Sequence, residues 1–105
     1  MLLKLRRYLS GQAGPLYGLG TLTPRDVIEF ARFLQGSQGD YGVQEPSSSF
    51  TALANDFFAA LRIDLNFDEV VTSFEDGGSD MTANFFMARR SDNRYFSLEL
   101  WWSLD

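Results

Sequence analysis

The sequence contains no histidine and no cysteine, and its only lysine is Lys4. Those absences remove whole classes of chemistry. Serine–histidine and cysteine–histidine nucleophiles cannot be assembled. Disulfides and thiolate metal sites cannot form. Lys4, the sole candidate for a Schiff base, lies in a basic stretch and not in an apolar one. Gly18-x-Gly20 lacks the third glycine of a dinucleotide loop and the Lys-Ser/Thr of a P-loop. No apolar run approaches the roughly 18–20 residues that span a bilayer. Lys4, Arg6 and Arg7 interrupt the leucines that would otherwise resemble a signal core. A carboxylate pair alone can run glycoside chemistry, but it needs a deep cleft, for which this chain is short. The expectation is a non-catalytic, soluble, cytoplasmic protein without a cofactor.

What the chain has is rings and negative charge. Ten of its 105 residues are phenylalanine, and its formal net charge is -5. That length suits one globular domain over residues 1–105, and such a domain buries roughly 60–70% of its unfolded surface. A core built on aromatic rings follows. The charge is uneven. Asp64, Asp68, Glu69, Glu75, Asp76 and Asp80 follow one another with no base among them, while Lys4, Arg6, Arg7, Arg89, Arg90 and Arg94 lie towards the two ends. A net acidic chain is poorly suited to displacing counterions from nucleic acid, and well suited to a partner protein with a basic surface.

The hydrophobic period changes along the chain. Met1 to Leu9 alternates in part, as a strand would, with a short helix as the rival reading. Gly11 to Gly20 reads as a loop around Pro15. Thr23-Pro24 is a helix start, with Asp26 in the first turn and Val27, Phe30, Ala31 and Leu34 on one stripe. A polar connector containing Tyr41 follows. The serines at 47–49 precede a second helical stripe, Phe50, Leu53, Ala54, Phe57, Phe58 and Leu61. From Ile63 onward the period becomes 2, through Leu65 and Phe67, then Val70, Thr72 and Phe74. Two further strands follow, Thr82–Arg90 and Tyr95–Leu104, after short turns at Asp76-Gly77-Gly78-Ser79 and Ser91-Asp92-Asn93. The fold class is α+β: a two-layer sandwich, two N-terminal helices packed on a C-terminal antiparallel meander of three or four strands, with the N-terminal segment as an extra edge strand.

Asp64-x-Asn66-x-Asp68 with a distal Glu75 resembles part of a calcium loop. Glu69 stands where the sharp turn wants glycine, however, and no second helix follows, so no metal is expected. In the last strand Trp101 and Trp102 must point to opposite faces. With Trp102 in the core beside Leu98 and Leu100, Trp101 stands with Tyr95 and Glu99 on the other side. That face is open unless the Gly11–Gly20 loop or the Tyr41 connector covers it.

These features point to a small acidic protein-binding module. Its most specific form is an inhibitor or immunity-type protein that masks a basic site on a toxin or nuclease. The candidate partner-binding residues are Asp64, Asp68, Glu75, Asp76, Asp80, Tyr95, Glu99 and Trp101, with no direct contact to nucleic acid or membrane. The alternative is a small-ligand or enzyme-accessory domain, with a pocket between the helices and the sheet. A third reading is an assembly protein that pairs through its final strand.

Overall fold

A computed structural model describes residues 3–12, 18–40 and 42–104. Strand β1 (Lys4–Gln12) comes first, followed by helices α1 (Pro24–Ser37) and α2 (Ser48–Leu65). Strands β2 (Glu69–Asp76), β3 (Asp80–Arg89) and β4 (Arg94–Ser103) complete the fold. The sheet is antiparallel with strand order β1-β4-β3-β2, so β2, β3 and β4 form the expected meander and β1 adds beside β4. The architecture is the α+β sandwich that the sequence periodicities imply.

Local chemistry sets each boundary. Thr23 and Asp26 form a reciprocal capping box at the start of α1, with Pro24 in the first turn. The Asp26 carboxylate also accepts the Thr72 hydroxyl at 2.8 Å, which pins the N-terminus of α1 to β2. Helix α2 runs further than the sequence alternation suggests. Ile63, Asp64 and Leu65 are helical and not strand, and the helix stops at Asn66, which takes a left-handed φ of 50° and donates its N–H to Arg62. The β2–β3 turn is closed by Gly78 at φ +89°, where its N–H reaches the Asp76 carboxylate.

The helices cover one face of the sheet. Phe30 and Phe33 of α1, Phe58 of α2, and Phe85, Met87, Phe96, Leu98, Leu100 and Trp102 of the sheet fill the space between the layers. Phe30 meets Phe85 edge-on with centroids 5.0 Å apart, and Phe57 at 4.9 Å. Rings at these separations interlock as well as bury area. The Trp102 indole N–H donates to the Phe33 carbonyl at 2.9 Å, so a polar handle inside the core is satisfied. This interlocked layer fills the middle of the space between helices and sheet, and a pocket of about 300 Å³ remains at its margin, between Glu29 and Arg32 of α1 and Phe74, Met81 and Trp102 of the sheet. A larger apolar groove runs along the outside, between α1 and α2. It has a volume of about 810 Å³ and is bordered by Val27, Ile28, Phe58 and Ile63.

The two sheet edges differ. Strand β2 is capped over its first residues, where Val70 N–H donates to the Gly20 carbonyl and Gly18 N–H to the Glu69 carboxylate at 2.6 Å. Strand β1 lies beyond the helices and pairs only with β4. Strand β4 therefore has neighbours on both sides. That corrects the third reading from sequence, because the final strand has no edge left for pairing with another chain.

Candidate functional site

Cross-strand register assigns each side chain to a face. Opposed residues in antiparallel strands share a face, so the residues opposite Trp101, Glu99, Ser97 and Tyr95 stand with them on the side away from the helices. From β3 these are Thr82, Asn84, Phe86 and Ala88, and from β2 Glu75, Ser73, Val71 and Glu69. Strand β1 adds Lys4, Arg7, Leu9 and Gly11. A register irregularity between Leu5 and Arg7 brings Arg6 to the same side. Its guanidinium sits 5.3 Å from the centre of the Trp101 ring and 3.4 Å from the Glu99 carboxylate.

Trp101 is the centre of one end of this face. It is half-buried, and its indole N–H donates to Asp80 Oδ2 at 3.0 Å. Carboxylate, ring and guanidinium thus form a connected set, Asp80–Trp101–Arg6–Glu99, with Glu75 across the sheet beyond Thr82. At the other end, Phe86 and Tyr95 stack at 5.8 Å with an interplanar angle of 11°. The Tyr95 ring lies over Gly11, where an added Cβ would come within 3.1 Å of it. Phe86 went unremarked in the sequence as a surface candidate. Its alternation with Phe85 and Met87 is the signal that places it opposite the core.

The eight sequence-derived candidates do not form one patch. The structure brings Glu75, Asp80, Glu99 and Trp101 together, with Tyr95 further along the same face. The remaining three lie elsewhere. Asp64 is in the last turn of α2, exposed to solvent. Asp68 precedes β2 and accepts the Arg90 backbone N–H at 2.7 Å. Asp76 faces Met81, hence the helix side of the sheet, and accepts Gly78 N–H. Strand parity separates adjacent acids such as Glu75 and Asp76. The length of β2, roughly 3.3 Å per residue, separates Asp68 from Glu75. This geometry breaks the partial calcium-loop pattern, and among the described residues no group of three potential ligands gathers as a metal site.

Among the described residues, coverage of the face is confined to one corner. The segment beginning at Gly18 reaches Glu69, which is buried and also paired with Arg90 at 3.0 Å. The hydrogen bond from Arg90, aided by Gly18 N–H, holds the Glu69 carboxyl below its usual range despite the opposing effect of desolvation. The described residues of the connector after α1 are held on the helix side: Arg32 donates to the Val43 carbonyl, and Gln35 bonds to Asp40 and to Ser47 N–H. Residues 13–17 of the Gly11–Gly20 loop and Tyr41 of the connector, both considered as covers, lie outside the described residues. No helix among the described residues is long and apolar enough to cross a membrane.

Comparison with known proteins returns no match for this chain among family models, curated proteins or solved structures.

Proposed function

We propose that this protein is a small non-catalytic protein-binding module that docks through the helix-free face of its sheet. Its most specific form is an inhibitor or immunity-type protein covering a basic site on a toxin or nuclease. The observation that carries this reading is Trp101. A large, half-buried ring stands on the helix-free face, held in place by Asp80, Arg6 and Glu99, and is therefore pre-organised to be buried by a second surface. Carboxylates flank it on the β2 side, where they meet lysine or arginine of a partner. The net charge of -5 supplies long-range attraction to such a surface.

The test is affinity capture from the native host with the wild-type chain and a Glu75→Lys/Asp80→Lys variant. The proposal expects a basic protein to be retained by the wild type. Its association should slow with added salt, and the variant should lose it. Equal retention by both forms removes the carboxylates from the interface.

A second reading rests on the groove between α1 and α2. Its apolar border and volume of about 810 Å³ suit a small ligand. Under that reading a small molecule raises the melting temperature, and Ile28→Asp abolishes the gain.

A further inference from the structure

The edges of a sheet are where its backbone is left to pair with something else. Here the β2 edge is capped by the segment from Gly18 to Gly20. The β1 edge is not. Among the described residues, no backbone group of Lys4–Gln12 hydrogen-bonds outside its ladder with β4. After the irregularity at Arg6, register runs unbroken from Arg7 to Gln12. β1 is thus a nine-residue strand with one paired side among the described residues.

Its side chains are exposed on both faces. Leu5 and Tyr8, opposite Leu100 and Leu98, are 61% and 48% accessible on the helix side. Leu9, opposite Ser97, is 49% accessible on the other side. An added strand would shield all three, because its own side chains would lie beside them on both faces. The charge on β1 selects what that strand is. Lys4, Arg6 and Arg7 are its only ionisable groups besides Tyr8, so it carries no acid. Arg6 is engaged by Glu99, whereas Lys4 and Arg7 form no ion pair among the described residues. Two β1 strands set side by side would bring no carboxylate to the Lys4 and Arg7 side chains of either copy, which favours a partner of opposite charge over a second copy. The same charges favour acidic side chains directly opposite.

We propose that the free edge of β1 is a docking site for an extended acidic segment of a partner protein, added to the sheet as a further strand. This contact uses the edge backbone with Lys4 and Arg7, and goes beyond the docking through Trp101.

The experiment uses the whole chain and two synthetic peptides matching β1 in length. One alternates glutamate with valine and threonine, and the other carries lysine in place of glutamate. NMR amide shifts and hydrogen exchange read the outcome. The glutamate peptide is expected to shift and protect amides between Arg7 and Gln12, and the lysine peptide to leave them unchanged. In Lys4→Glu/Arg7→Glu the preference should reverse, with the glutamate peptide weakened about tenfold. Equal response to both peptides, or none at millimolar concentration, overturns the proposal. So does a self-associated form of the unliganded chain in which those same amides are already protected.

Discussion

Trp101 and Trp102 are neighbours in sequence and opposites in circumstance. Trp102 is 2% exposed, packs against Phe33 with ring centroids 6.2 Å apart, and donates to the Phe33 carbonyl. Trp101 donates to a carboxylate on the far side of the sheet and carries an arginine over its ring. Both indole N–H groups are satisfied, so polarity does not distinguish them. What differs is the number of layers around each ring. One is enclosed between sheet and helix, and the other has sheet beneath it and, among the described residues, only long side chains above. One residue of strand parity turns the same side chain from a fold determinant into a surface anchor.

That contrast can be broken by substitution. Trp102→Ala has the largest expected effect, a loss of about 3–5 kcal/mol, because it opens a cavity among aromatic neighbours. Urea unfolding measures it, and a loss below about 1 kcal/mol would show that the rings re-pack around the gap. Trp101→Ala should cost the isolated fold little while weakening the captured partner by about 2 kcal/mol or more, as an interface anchor does. Calorimetric titration against that partner, with urea unfolding beside it, separates the two quantities.

The helix layer that encloses Trp102 is also fastened at the opposite end of α1, by Asp26. Burial pushes this carboxyl up, but hydrogen bonds from Thr23 N–H and from the Thr72 and Thr23 hydroxyls, with Arg25 nearby, leave it below its ordinary value of 3.8. A carboxyl depressed in the folded state stabilises above its unfolded value, and that contribution fades as pH falls through the lowered one. Asp26→Asn should therefore cost about 1 kcal/mol at neutral pH, the worth of the cap. The gap to wild type should narrow only below about pH 4, the ordinary carboxylate range. A gap constant down to pH 2 would remove the carboxylate from the account. The smallest effect belongs to Arg6→Ala. An exposed ion pair with a cation–π contact is worth about 0.5–1 kcal/mol, and high salt should erase part of it.

Much of this was legible in the residues. Thr23-Pro24 and Asp26 announced the start of α1, and the alternation around Trp101 and Trp102 announced both the last strand and its two faces. The end of α2 was not legible. Leu61 and Leu65 are four apart, a helical spacing, while Ile63, Leu65 and Phe67 alternate as in a strand. The same letters satisfy both periods until Asn66 takes its left-handed turn. Nor could the acidic run be located, since a list of charges carries no parity, and Glu75 and Asp76 part company only once β2 pairs with β3. The bare flanks of β1 depend on where the helices stop, which is a property of packing between layers and not of any local pattern.

One consequence follows from the sheet order. Lys4 faces Trp101 and Gln12 faces Arg94, so β1 waits for β4, which is made some ninety residues later. The β2–β3–β4 hairpins can zip from adjacent sequence, whereas β1 must close a loop that contains both helices and two strands. Until that closure a basic, leucine-bearing segment trails from a partly formed body. Slow docking of β1 should appear in refolding as a late gain of protection confined to β1 and its neighbour β4.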